Sequence, residues 1–168
     1  MRPEDLRALQ APLKDLYRAK PERAVVTLRA DGELDEVGVA CRVETGQALV
    51  EAGLHPATGG TGLQACSGDL LLQALVACAG VTLRAVATAL GLPVAGGRVH
   101  AEGDLDFRGT LGVSKEAPVG FRTIRLRFEL DTAASPEDLA TLLKLTERYC
   151  VVLQTLRTPP ALSAELRT

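Results

Sequence analysis

The stretch CSGDLLLQALVACAGVTLRAVATAL, residues 66–90, decides how this chain folds. It is apolar almost throughout, and Gly91 and Pro93 follow it as helix stop signals. The pattern predicts a helix from about residue 68 to 90, with Ser67 as its N-cap. Because a helix that is apolar all round has no face suited to water, we expect it to be central and buried on most sides.

Shorter elements are predicted before this helix. Leucines at helical spacing within residues 3–18 predict an amphipathic N-terminal helix, which we assign to residues 1–20. The strands predicted next lie at residues 24–30, 38–44 and 48–53. A turn is predicted at Asp31–Gly32, and a Gly-rich loop leads into the central helix.

A second sheet and a second long helix are predicted after it. Residues 98–107 and 121–130 alternate apolar and polar side chains, which is typical of strands. Ser135 and Pro136 open a helix that continues through LATLLKLTERYCVVLQTL, and ALSAEL (161–166) predicts a closing strand. Strands clustered between helices, without βαβ alternation, indicate an α+β fold, and we treat residues 21–168 as a single domain.

Composition narrows the possible partners. The 19 basic and 21 acidic residues nearly balance, and aromatic residues are scarce, so neither nucleic acid nor a membrane surface is favoured as a partner. Gln73 and Arg84 interrupt the apolar stretch, which argues against a membrane span. The charged N-terminus does not resemble a secretory signal, so we expect a cytoplasmic protein whose four cysteines stay reduced.

Two of the cysteines lie in the predicted long helices, Cys78 in ALVACAGVT and Cys150 in LTERYCVVLQT. Free cysteine is often only a small buried apolar residue, and each fits that interpretation when taken alone. Charged residues directly before Cys150 require a partner or access to solvent, and a functional site can supply the partner. Cys41, within a predicted strand, is interpreted as structural.

The segments SGDLLLQALVACAGVTLRAVA and ERYCVVLQTL, with AEGDLDFRGTLGVSKEAPVGFRTIRLRFEL between them, resemble the OsmC/Ohr family of thiol-dependent hydroperoxide reductases. The likeness covers roughly residues 22–167. It implies an intertwined homodimer in which two long central helices pack with small antiparallel sheets. It also implies that Cys78 attacks an organic hydroperoxide and becomes a sulfenic acid. Cys150 would then form a disulfide with Cys78, which a dithiol such as a lipoyl group would reduce.

The charged residues that assist the first cysteine in the peroxidase members are absent at the matching positions of this chain. In those members an acidic residue stands ten positions before the first cysteine, and an arginine lies earlier in the loop. This chain has Gly68 at the first position, with Asp69 one place later, and no arginine in HPATGGTGLQAC. Asp69 is either an assisting carboxylate or a first-turn charge, and His55 is either a cation or base for the site or an ordinary loop residue.

Two further assisting residues are considered. Arg148 can face a thiolate or be solvated. Cys66, just before the central helix, is either an additional reactive thiol or a loop cysteine without a role. No zinc-binding spacing is present, and neither a metal nor a cofactor is predicted. The alternative to a peroxidase is a dimer of the same fold that binds an apolar small molecule without turnover.

Overall fold

The computed structural model of this chain describes residues 2–5, 8, 11, 19, 31–34, 40–44, 49–112 and 114–168. The chain divides into two compact units. Their ranges are Met1–Arg7, Ala74–His100 and Arg127–Thr168 for the first unit, and Ala8–Gln73 and Ala101–Leu126 for the second. Described residues 3–5, 8, 11 and 19 are helical. Arg2 is described and is not helical, whereas the other residues of the predicted N-terminal helix and the predicted strand at 24–30 lie outside the described residues.

Four strands form one sheet in the order β1, β2, β3, β4. They are β1 (Asp31–Leu34), β2 (Ala40–Glu44), β3 (Leu49–Gly53) and β4 (Ala65–Cys66). The first three are antiparallel, and β4 runs parallel to β3 with Cys66 opposite Gly53. The predicted turn at Asp31–Gly32 is wrong, because these two residues pair with Glu44 and Val43 inside the sheet.

Helix α1 (Ser67–Leu90) is the predicted central helix, and it begins one residue earlier than expected, so Ser67 lies inside it. Gly91 ends it in the left-handed region (φ 70°), and the Leu92 N–H donates to the Ala87 carbonyl over 2.9 Å. Its fully buried residues are Leu75, Ala79, Leu83 and Ala87. These form one stripe at four-residue spacing, whereas Val81 is 73% exposed. The expectation of burial on most sides is therefore wrong for the single chain.

The remaining elements follow α1. They are β5 (Val94–Leu105), the short helix α2 (Phe107–Thr110), β6 (Phe121–Thr132), α3 (Pro136–Tyr149) and α4 (Val151–Arg157). Strands β5 and β6 form a two-stranded sheet, and β6 alternates half-buried apolar with exposed charged residues as predicted. The first unit's core joins α1, β5, β6 and α3 through Leu83, Val86, Ala87, Leu92, Val94, Phe128, Leu130, Leu139 and Leu142.

The start of α3 confirms its predicted cap. The Ser135 hydroxyl accepts a hydrogen bond from the Asp138 N–H over 3.1 Å, and Pro136 occupies the first turn. The predicted strand at 161–166 is wrong, since residues 159–168 form neither helix nor strand. Pro159 and Pro160 lack the N–H that a sheet partner would need, and the side chains that follow them are exposed.

Among the described residues, α1 is long and apolar enough by length and composition to cross a bilayer. Core helices of soluble proteins pass the same test, so this feature alone does not indicate a membrane span. The Arg84 side chain, which interrupts its apolar surface, donates to the carbonyl of Val94 over 2.5 Å.

Gly97 offers a test of the first unit's packing. Its φ of 153° is rarely adopted by residues with a side chain, and a methyl group there would overlap the carbonyl oxygen of Glu129. Gly97→Ala should therefore lower the free energy of unfolding by roughly 2–4 kcal/mol, as measured by urea denaturation. Gly96→Ala is the matched control, because a methyl group at Gly96 meets no atom within 4 Å. Equal stability of the two variants would contradict this expectation.

Candidate active site

Cys78 lies in the middle of α1, at the edge of the buried stripe between Leu75 and Ala79. This position leaves its side chain half-buried, so the sulfur is neither sealed in the core nor fully solvated. Thr82 follows one helical turn later, and its hydroxyl hydrogen-bonds to the Cys78 sulfur. Helix α1 thus provides one thiol and one hydroxyl on the same face.

Cys150 lies at a break between α3 and α4, and the prediction of one continuous helix here is wrong. Its backbone is extended, with φ −72° and ψ 106°, and its side chain is completely buried. The side chains of Cys150 and Cys78 hydrogen-bond to each other, and neither cysteine is in a disulfide. Two thiols that are 72 positions apart along the chain therefore meet within the first unit.

The break explains what else surrounds the sulfurs. In a continuous helix the N–H groups of Val151, Val152 and Leu153 would bind carbonyls four residues back. Here the N–H groups of Val151 and Val152 hydrogen-bond to the sulfur of Cys78, whereas the Cys150 side chain makes no capping hydrogen bond to α4. Since backbone donors without a partner are costly, the Cys78 sulfur takes the place of two of the lost helical acceptors.

These contacts act differently on the two thiols. Burial tends to raise the pKa of Cys78, but hydrogen bonds from Val152, Cys150, Val151 and Thr82 outweigh it, and the pKa falls below its usual value. Burial raises the pKa of Cys150, and its hydrogen bond to Cys78 raises it further. Cys78 is thus the member of the pair that ionises more easily, and Cys150 is the one that keeps its proton.

The groups that favour the Cys78 thiolate carry no formal charge. They are two backbone N–H groups, a hydroxyl and a thiol. Arg148, proposed as a facing cation, is exposed at the end of α3, where its guanidinium lies over the Tyr149 ring at 5.5 Å from the centroid. Glu147 binds Arg157 of α4 at 3.1 Å. The charges before Cys150 therefore have partners on the protein surface.

The other proposed assisting residues belong to the second unit. Cys66 and His55 line a cavity of about 390 Å³ there, with apolar walls that include Phe107 and Phe121. The His55 ring stacks on Phe107 at a centroid distance of 4.9 Å, and its Nδ1 accepts from the Ala57 N–H over 3.0 Å. Asp69 is exposed in the first turn of α1.

In the part of the chain that the structure describes, no three His, Cys, Asp or Glu side chains are grouped so that they could hold a metal ion. The groups that meet at the thiol pair are two cysteine sulfurs, and their chemistry is that of thiols. A thiolate is the nucleophilic form of cysteine, and a neighbouring protonated thiol can react with an oxidised sulfur.

Sequence reasoning missed three groups of this site: the N–H groups of Val151 and Val152 and the hydroxyl of Thr82. The position of Thr82 four residues after Cys78 in a predicted helix was a usable signal. The backbone donors left no signal, because no glycine or proline marks the break at Cys150.

Comparison with known proteins adds a family and a fold. A family model described as OsmC-like protein matches residues 60–165, more than half of the chain. An OsmC-like protein from Mycoplasma pneumoniae superposes with a TM-score of 0.66 at 16% identity, covering 80% of this chain and 89% of that one. No curated protein matches the sequence significantly.

Two further solved structures are similar. An organic hydroperoxide resistance protein from Elizabethkingia anophelis gives a TM-score of 0.64 at 16% identity, covering 80% of this chain and 91% of that one. The organic hydroperoxide resistance protein OsmC from Legionella pneumophila gives 0.62 at 16% identity, with the same coverages. At such identities the likeness establishes the α+β fold, with helices and small sheets, and no more than the fold.

Proposed function

This chain belongs to the OsmC family, and from that premise we propose that it is a thiol-dependent peroxidase that reduces organic hydroperoxides through Cys78 and Cys150. Family membership and neighbours named for organic hydroperoxide resistance support a peroxide-related redox role. The observation that carries the finer proposal is the contact between two thiols whose pKa values are shifted in opposite directions.

The reaction follows from that asymmetry. The Cys78 thiolate attacks the terminal oxygen of the hydroperoxide, so that an S–O bond forms and the O–O bond breaks. The alkoxide takes a proton from solvent and leaves as an alcohol, while Cys78 becomes a sulfenic acid. The Cys150 sulfur then attacks Cys78, and its proton leaves with the hydroxyl group as water. An external dithiol then reduces the Cys78–Cys150 disulfide by thiol–disulfide exchange, supplies two electrons in place of those that the peroxide consumed, and is itself oxidised to a disulfide.

Peroxide treatment of the reduced wild-type protein tests the proposal. One equivalent of cumene hydroperoxide should be consumed, and mass spectrometry of the digested protein should find a Cys78–Cys150 disulfide. Turnover should continue when dihydrolipoamide is supplied as the dithiol. A bridge between Cys66 and Cys78 would show that the wrong sulfur pair was chosen, and unreacted thiols would refute peroxidase activity.

We also propose that the protein is a cytoplasmic homodimer. Helix α1 buries only one stripe in the single chain, although it is apolar almost throughout, and Leu71, Val81 and Leu90 are 37%, 73% and 43% exposed. A second copy could cover this surface, which water solvates poorly. A monomer mass in solution, measured by sedimentation, would contradict the proposal.

A second candidate function is binding of an apolar small molecule without turnover. The cavity of about 390 Å³ in the second unit favours it, because its lining includes the apolar side chains of Leu54, Leu71, Leu105, Phe107 and Phe121. Under this alternative, peroxide would leave Cys78 unchanged, whereas an apolar ligand would slow alkylation of Cys66 in the cavity.

A further inference from the structure

The helix breaks at Cys150 although the local sequence favours a continuous helix. Residues 146–154 contain no glycine or proline, and their side chains are compatible with one continuous helix. Breaking a helix here separates three N–H groups from their carbonyl acceptors. This costs free energy unless the N–H groups find other acceptors and the carbonyls find other donors. The Cys78 sulfur replaces two of these acceptors, as described above, and contacts across the break must hold the arrangement.

Glu147 provides those contacts on the α3 side. Its carbonyl oxygen would bind the Val151 N–H in a continuous helix. Because that N–H now faces Cys78, the Glu147 carbonyl accepts instead from the Gln154 side-chain amide over 2.7 Å. Its carboxylate receives the Arg157 guanidinium at 3.1 and 3.3 Å. One residue before the break is thus bound by two residues after it.

We propose that Glu147, Gln154 and Arg157 are positioning residues for the thiol pair. Gln154 and Arg157 bind Glu147 across the break and thereby keep the N–H groups of Val151 and Val152 directed at Cys78. That the positioned thiolate reacts with a peroxide rests on the proposed function. That these residues position it does not. In this chain, three residues of α3 and α4 thus position the thiolate. The resemblance assigns that task to an arginine and a carboxylate in the peroxidase members.

We expect the Gln154 hydrogen bond and the Arg157 ion pair to contribute unequally to the positioning of the thiol pair. Gln154 is half-buried and replaces a backbone donor at a carbonyl, so its loss leaves that acceptor poorly satisfied. The Glu147–Arg157 ion pair is about half exposed, and such pairs contribute little on their own. Gln154→Met, which keeps the side-chain length and removes the donor, should therefore have the larger effect, and Arg157→Met the smaller.

The test is the pH dependence of Cys78 alkylation by iodoacetamide in the reduced protein, followed by mass spectrometry of the Cys78 peptide. Gln154→Met should raise the midpoint of this profile, and the rate below the midpoint should fall about tenfold for each pH unit of that rise. Arg157→Lys should restore part of what Arg157→Met loses. Arg167→Met is the matched control, because its ion pair with Glu165 (3.0 Å) lies in the C-terminal tail.

An unchanged midpoint in folded Gln154→Met would overturn the proposal. A merely structural role would lower the unfolding temperature and leave the midpoint in place, so thermal unfolding is recorded in parallel. If Gln154→Met does not fold, Arg157→Met and Glu147→Gln decide by the same criterion. The assay contains no peroxide, so a failure of peroxide turnover in the wild type would refute the proposed function and leave this result standing.

Discussion

Cys78→Ser is expected to consume organic hydroperoxide no faster than buffer does. A serine hydroxyl is not ionised at neutral pH, so the N–H groups of Val151 and Val152 would face a neutral oxygen in place of a thiolate. Loss of the attacking group should reduce turnover on the order of 10³-fold or more. The measurement is peroxide consumption with dihydrolipoamide as reductant.

Cys66→Ser is the matched control for this experiment. Cys66 lines a cavity in the second unit, and its replacement should leave turnover close to that of the wild type. Wild-type activity in Cys78→Ser, or its loss in Cys66→Ser, would contradict the assignment of the nucleophile.

The wild-type pH profile gives an independent check of the same residue. The rate of the first step should rise with pH and level off once Cys78 is fully ionised. Since hydrogen bonds outweigh burial and hold the pKa of Cys78 below its usual value, levelling should occur at a lower pH than for an ordinary thiol. Levelling above the ordinary thiol range would contradict the proposed role of these bonds.

The Cys150→Ser protein should fail at a later step. Its Cys78 can still be oxidised once, but no neighbouring thiol remains to form the disulfide. Turnover with dihydrolipoamide should fall to a small fraction of the wild-type rate. Continued peroxide exposure should then add a second oxygen atom to Cys78 and give the irreversible sulfinic acid. Mass spectrometry of the Cys78 peptide over time measures this.

Serine is the suitable replacement at Cys150 because the side chain is completely buried and a hydroxyl can still donate to the Cys78 sulfur. A Cys150→Ser protein with wild-type turnover, or with Cys78 stable as a sulfenic acid, would show that Cys150 does not resolve the oxidised thiol.

Local signals in the sequence were sufficient for much of the fold. An apolar run followed by Gly91 located α1, and Ser135 with Pro136 located the start of α3. The alternation of apolar and charged residues located β6 in the same way. The break at Cys150 was not predictable, because no glycine or proline marks it and the groups around it, the Gln154 amide and the sulfur of Cys78 from another helix, are brought together only by folding.

In the site, too, some features could be predicted from the sequence and others could not. Pairing of Cys78 with Cys150 came from a family resemblance, since spacing along the chain carries no information about two thiols in different helices. The sequence leaves His55 open as a cation, a base or an ordinary loop residue, and the structure places its ring against Phe107 with its Nδ1 accepting from a backbone N–H. Whether a loop histidine caps its own turn depends on backbone geometry that the residue type does not reveal.

The helix break also bears on what happens after oxidation. In the reduced protein, the released N–H groups of Val151 and Val152 face the Cys78 sulfur, and a negative charge on that sulfur makes it a strong acceptor for them. A disulfide carries no charge and accepts hydrogen bonds weakly, so these donors lose most of what holds them. The segment joining α3 and α4 should accordingly be less stable locally once oxidised, which would open the bridged sulfurs to an incoming reductant.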